Sequence, residues 1–208
     1  PENIKKWWNR YVYAQKQTGF YGCKVPVHLG DIHFENARAL ANALLPYGED
    51  VMRFTGDQNL YIRNLTGPQM ASLHDILQAF SKDVAKPTLF GDMVACTGAA
   101  TCQLGIARPR GAVDAIQKRL NKLIDERDYD ALQGFKIHLS GCPNSCGKHL
   151  IGDRGFFEKV QRNEGYSYPA YNVVAGSRTS GDGSVYAQKA GDVAAFHVPA
   201  FVEEVLDT

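Results

Sequence analysis

Apolar residues in the first eighty positions follow two rhythms. Gly22-Cys23-Lys24-Val25-Pro26-Val27-His28-Leu29 carries valines at alternate positions and ends at Gly30-Asp31, which predicts a strand meeting a turn. Phe34, Ala37, Leu40, Ala41 and Leu44 then recur at three- and four-residue steps, and Pro46-Tyr47-Gly48 stops that helix. Val51-Met52-Arg53-Phe54 and Leu60-Tyr61-Ile62 are short apolar runs about a loop holding Gly56-Asp57, and they read as successive strands. A second helix is marked by a capping box of Thr66 and Gln69, by Pro68 in its first turn, and by the stripe Leu73, Ile76, Leu77 and Phe80. The order strand, helix, strand, strand, helix is that of a ferredoxin-like α+β unit.

The rhythm changes after Lys86-Pro87, which predicts two domains, residues 1–86 and 87–208. Beyond that point the regular elements serve to carry loops. Residues 111–124 place Val113, Ile116, Leu120, Leu123 and Ile124 at helical spacing. Phe135, Ile137 and Leu139 alternate with Lys136, His138 and Ser140 as a half-buried strand that delivers Cys142. Tyr171-Asn172-Val173-Val174 and Val185-Tyr186-Ala187 read as strands about a loop from Gly176 to Ser184, whose glycines and Asp182 predict irregular structure. A last helix is expected near Pro199. There is no internal repeat and no low-complexity tract.

Composition narrows the class. With 208 residues, 44% of them hydrophobic, the chain can bury a core. The 23 basic and 22 acidic residues nearly cancel, so no global field favours nucleic acid or an acidic membrane surface. No apolar stretch approaches the ~20 residues that a membrane helix needs.

The chemistry gathers in four of the five cysteines. Cys96 and Cys102 have five residues between them, Cys142 and Cys146 have three, and glycines accompany both pairs. Thiolates are ligands for iron–sulfur clusters, zinc and cuprous ions. A cysteine zinc knuckle has two to four residues between its ligands, so the first gap is wide for zinc. Disulfides and inert buried thiols are the other readings, set against the absence of an apolar leader and the clustering of the four. Thiol-dependent chemistry calls for a reducing compartment, and a cytoplasmic location is expected. Cys23, alone in an apolar run, reads as a packed small hydrophobe.

Several segments resemble one family. Ala95-Cys96-Thr97-Gly98, Cys102-Gln103-Leu104-Gly105-Ile106-Ala107 and Ser140-Gly141-Cys142-Pro143-Asn144-Ser145-Cys146-Gly147 resemble the cluster loops of the sirohaem-dependent nitrite and sulfite reductases. Val25-Pro26-Val27-His28-Leu29-Gly30-Asp31 is similar to the strand and turn that open a repeat there. Thr55-Gly56-Asp57-Gln58-Asn59-Leu60-Tyr61-Ile62 resembles the signature of the second repeat, since the first carries an arginine where this chain has Gly56-Asp57. The implied fold is a ferredoxin-like half-repeat followed by a mixed α/β domain that binds sirohaem and a 4Fe-4S cluster.

The resemblance implies that Cys96, Cys102, Cys142 and Cys146 hold the cluster, and that the Cys146 sulfur is also the proximal ligand of the sirohaem iron. It implies a six-electron reduction of nitrite to ammonia or of sulfite to sulfide, with the cofactor doing the hard chemistry. Sirohaem carries many carboxylates, so Gln58, Asn59, Arg108, Asn144 and Arg178 are its candidate contacts. Lys148 and His149 are candidates for tuning the cluster or supplying protons. The substrate-holding cations of the family lie on the first repeat. Pro1 is not a natural start, so the chain reads as a C-terminal half, expected not to turn over alone. The expected partners are the missing N-terminal repeat, a small anion, and an electron donor of the ferredoxin, flavoprotein or NAD(P)H-linked kind. An electron-transfer or cofactor-binding module without haem, a corrin-synthesis enzyme on the same scaffold, and a zinc-stapled interaction domain are the alternatives.

Overall fold

The computed structural model describes residues 2–207. The chain divides into two compact units, the first closing at Gly91 and the second opening at Asp92.

In the first unit the predicted strand–helix–strand–strand–helix order is present, preceded by a helix and a strand that the sequence pattern does not announce. The elements are α1 (Glu2–Tyr11), β1 (Val12–Ala14), β2 (Tyr21–Val25), α2 (Phe34–Leu44), β3 (Met52–Phe54), β4 (Leu60–Leu65), α3 (Gly67–Phe80) and the short α4 (Thr88–Gly91). Helix α1 buries only Trp7 and Tyr11, one turn apart among polar neighbours, so its apolar stripe is too thin to read. The sheet is antiparallel with order β1-β2-β4-β3. Strand β2 ends at Val25 rather than Leu29, because Pro26 has no N–H to give the ladder. The capping box of α3 is in place, with the Thr66 N–H on Gln69 Oε1 at 2.8 Å. Cys23, Val25, Leu40, Leu60, Ile62, Met70, Leu73 and Leu77 form the core. The Cys23 thiol is 0% exposed and burial pushes its pKa up, so it is an inert packed side chain.

The second unit comprises β5 (Met93–Ala95), α5 (Pro109–Leu120), β6 (Ile137–Ser140), β7 (Arg154–Asn163), β8 (Tyr166–Ala175), β9 (Arg178–Ser180), β10 (Gly183–Val185), β11 (Gln188–Ala194) and α6 (Val198–Leu206). Its main sheet has the order β11-β8-β7-β6-β5. Strands β5, β6 and β7 run parallel, whereas β8 and β11 are antiparallel additions. Every residue of β5 and β6 is buried, the pattern of parallel strands covered on both faces, so β6 is not the half-buried strand its alternation predicts. Helix α5 buries Val113, Ile116 and Leu120, and α6 is tied to this region by ion pairs from Arg119 to Glu203 and from Arg127 to Asp207.

Two expectations are corrected, and one strand is new. The segment from Gly176 to Ser184 contains a regular hairpin, β9 with β10, whose exposed residues give no apolar alternation to read. The strand expected at residues 185–187 is instead the end of β10 and the link into β11. Strand β7 escapes the sequence pattern because the face with buried Phe156 carries the charged Glu158 next and then the exposed Val160. The ten-residue pairing of β7 with β8 nonetheless sets the frame of the unit.

Candidate metal centre

Strands β5 and β6 are parallel neighbours, with Ala95 opposite Leu139. Cys96 follows the end of β5 directly, and Cys142 follows Ser140 by two residues. Both cysteine loops therefore leave the same edge of the sheet, the carboxyl ends of parallel strands, where open α/β sheets form their ligand crevices. The contact between the loops is direct. The Gly141 N–H points to Cys96 Sγ at 3.1 Å, and the Ile106 N–H donates to the Gly141 carbonyl at 3.0 Å.

The first loop closes on itself and against the start of α5. Cys102 donates its N–H to Gly98 O at 2.9 Å, Gly105 to Cys102 O at 3.1 Å and Ala99 to Ala107 O at 2.8 Å, while the Thr97 and Thr101 hydroxyls meet at 2.7 Å. Gly98 takes a left-handed φ of 56°, and a Cβ there would lie 2.2 Å from Pro109 Cδ. A side chain at Gly98 is excluded twice over, by conformation and by space.

The second loop is pressed onto β6. A Cβ on Gly147 would fall 1.9 Å from the Leu139 carbonyl oxygen, so glycine alone allows the chain so close to the strand. The Gly147 N–H donates to Ser140 Oγ at 3.1 Å. Ser145 and Lys148 are both left-handed, with φ of 58° and 59°, and Lys148 returns its N–H to Ser145 O at 2.8 Å. Such strain in non-glycine residues is held only where the surroundings over-determine it. His138 donates from Nδ1 to Lys148 O at 2.9 Å. His149, 2% exposed, stacks on Phe157 with ring centroids 4.7 Å apart, and its Nδ1 has no hydrogen-bond partner among the described residues. Burial, and then the neighbouring His138, lower its pKa to about 4, so it stays neutral near pH 7 and is no general acid there.

Beneath both loops lies a pair that sequence reading missed. Glu158 of β7 and Tyr171 of β8 are register partners, each 1% exposed, and the phenol donates to Glu158 Oε1 at 2.5 Å. Glu158 Oε2 accepts the Ala107 N–H, also at 2.5 Å. Burial raises the pKa of Glu158, with the bonds from Tyr171 and Ala107 acting the other way, and burial raises Tyr171 as well. The available signal was a carboxylate in the apolar run Phe156-Phe157-Glu158, on the same strand face as Phe156.

All four loop cysteines are free thiols, with Cys102 and Cys146 exposed and Cys96 and Cys142 partly so. Among the described residues no three Cys, His, Asp or Glu side chains stand as a finished metal-ligand group. The loops meet; the sulfurs are not drawn to one centre. The attraction that closes a thiolate cage comes from the metal itself. What the backbone provides is the fit. Reduced thiols project from two loops that are hydrogen-bonded to each other, and one sulfur already takes the amide bond by which a protein tunes a cluster.

The other predicted contacts fare unequally. Asn144 is exposed beside Cys146 on the second loop. Arg108 is exposed at the foot of α5, and Arg178 is exposed on β9. In the first unit, Gln58 takes a left-handed φ of 61° in the turn before β4. Asn59 beside it is 2% exposed and fully engaged with backbone. Its oxygen accepts the Val27 N–H at 2.9 Å, and its nitrogen donates to Asp57 O at 3.1 Å and Gly91 O at 2.8 Å. That side chain ties three segments of its own unit together.

Comparison with known proteins agrees with this architecture. Residues 13–80 match the family model for the nitrite/sulfite reductase ferredoxin-like half domain. A ferredoxin–nitrite reductase of Synechococcus elongatus is 28% identical over 199 residues, covering 94% of this chain and 37% of the relative. A chloroplastic ferredoxin–nitrite reductase of Oryza sativa subsp. japonica is 30% identical over 192 residues, 88% of this chain and 31% of the relative. The solved structure of the Mycobacterium tuberculosis NirA protein shares the fold with a TM-score of 0.73 at 23% identity, covering 95% of this chain and 36% of that one. The chain spans about a third of the length of these curated relatives. No helix among the described residues is long and apolar enough to cross a membrane.

Proposed function

Because its half domain and its relatives place the chain in the nitrite and sulfite reductase family, we propose that it is the cluster-bearing C-terminal part of a nitrite or sulfite reductase. In this reading Cys96, Cys102, Cys142 and Cys146 would hold a 4Fe-4S cluster, and the exposed Cys146 would also serve sirohaem. The supporting observation is the Gly141 N–H on Cys96 Sγ, a bond that joins the two loops through a prospective ligand. When bound, the two cofactors would relay electrons from the external donor and supply the reactive iron for six-electron reduction of the anion.

The residues of this chain position and tune. Glycine at 98 and 147 lets the loops pack closely, the first against Pro109 and the second against β6, Gly141 brings its N–H to Cys96 Sγ, and the parallel register of β5 with β6 fixes which loop faces which. Asn144 and Arg108 are exposed near the two loops and are the local candidates for sirohaem carboxylates; Gln58 and Arg178 are the further ones. Asn59 serves these contacts only indirectly, by shaping the Gln58 turn. The cations that grip the anion, and the partner repeat that carries them, belong to the rest of a longer protein. A ferredoxin is the donor that fits relatives named ferredoxin–nitrite reductase.

One observation favours a second reading, a module that holds the cluster without haem. The Asn59 amide is committed to backbone, which removes one of the five side chains offered to the sirohaem carboxylates. The test uses the full-length gene product purified without oxygen and supplied with a chemical electron donor. Iron, acid-labile sulfide, reduced porphyrin bands and turnover of nitrite or sulfite are expected together. Iron without porphyrin bands selects the haem-free module, and protein without iron defeats both readings.

A further inference from the structure

Glu158 is a buried carboxylate with no part in the roles given above. Its two oxygens reach different elements: Oε2 accepts the Ala107 N–H of the first cysteine loop, and Oε1 accepts the Tyr171 hydroxyl from β8. It also sits close to the second loop. Built on Gly141, a Cβ would have Glu158 Oε2 at 3.5 Å, Cys96 Sγ at 3.6 Å and Gly98 Cα at 2.7 Å. Carboxylate, sulfur and both loop backbones thus surround one point.

The register explains how the group arrives there. Ser140 pairs with Phe157 along the parallel β6–β7 ladder, so Glu158 is the next residue beyond the end of β6, level with the departing Gly141. Tyr171 faces it directly on β8. A side chain with two acceptor oxygens and two donors is well matched to its ionised form. Such a charge, 1% exposed, is poorly screened.

We propose that Glu158, held by Tyr171, is a positioning residue that locks the first cysteine loop against the second and lowers the reduction potential of the cluster through its buried negative charge. This rests on the cluster reading above. An electron added to a centre at Cys96 is repelled by the carboxylate, so the charge favours the oxidised form. The Tyr171 hydrogen bond draws part of that charge away and moderates the effect.

The two partners therefore predict shifts of opposite sign, which a purely structural brace does not. In anaerobically purified full-length protein, iron and sulfide are measured first, and the midpoint potential is then taken by redox titration followed by electron paramagnetic resonance. Glu158→Gln keeps the shape and an acceptor for Ala107, and should retain iron while raising the potential. Roughly a tenfold change in the oxidised-to-reduced ratio at fixed potential is expected, about 59 mV for one electron. Tyr171→Phe should lower the potential by a smaller factor. Unchanged potentials in both variants at full iron content, or shifts of the same sign, overturn the proposal while leaving the cluster reading intact. Absence of iron from the unmutated protein overturns both. Should Glu158→Gln fail to fold, Tyr171→Phe decides: a lowered potential supports the proposal, and an unchanged or raised one ends it.

Discussion

The two cysteine loops perform the same task with different means. The first is long, closes through its own amide bonds, and leans on groups from elsewhere, the ring of Pro109 and the carboxylate of Glu158. The second is short and held from below. It is pressed against β6 at Gly147 and bent by two left-handed residues, Ser145 and Lys148. A loop braced by side chains can yield by moving one of them. A loop wedged against a strand carbonyl can yield only by moving the strand.

That contrast orders the expected damage. Gly147→Ala drives a methyl group to 1.9 Å from Leu139 O on a central strand, so the loss should be about 4 kcal/mol or more, read from the midpoint of urea unfolding. Gly98→Ala meets Pro109 Cδ at 2.2 Å and needs a left-handed alanine, but the ring and the loop can shift; about 3 kcal/mol is expected from the same measurement. If the second variant proves the more damaging, the wedge argument is reversed.

A smaller effect separates the loops by pH. His149, three residues past Cys146, has a folded pKa of about 4 against an ordinary value near 6.5. The folded chain refuses a proton that the unfolded chain accepts. Its contribution to stability is therefore complete above about pH 6.5 and is lost as pH falls from there toward 4. His149→Phe should flatten that acid limb in thermal melts across the same window, and an unchanged limb would show that the imidazole is not its source. Smallest of all in stability, Cys146→Ser alters an exposed thiol and should change the unfolding free energy of the metal-free protein in urea by no more than about 0.5 kcal/mol, while abolishing iron binding in the anaerobic full-length protein.

Much of this was legible in the sequence, for identifiable reasons. Elements with a one-sided apolar rhythm were visible: α2, β3, β4, α3, α5, β6 and part of β8. The cysteine spacings and their glycines mark both loops in the sequence. Elements that break the rhythm were hidden, α1 behind its thin stripe and β7 behind a buried acid and an exposed valine. The site shows the same divide. Residues named by the chemistry they carry, the four cysteines, stand on loops that do meet. Residues that hold backbone leave no such mark: Asn59, a sirohaem candidate by resemblance, binds three backbone groups, and Glu158 lies in no motif. Hydrogen bonds between residues far apart in sequence leave no local pattern.

The parallel pairing of β5 with β6 has a consequence for how such a chain tolerates change in length. What brings the loops together is strand alignment, so the forty or so positions separating the cysteine pairs act as a tether and not a ruler. Insertions in the exposed turn after α5, at Asp125 and Glu126, should leave the sulfurs in place, while one added residue inside either cysteine pair would turn a sulfur away.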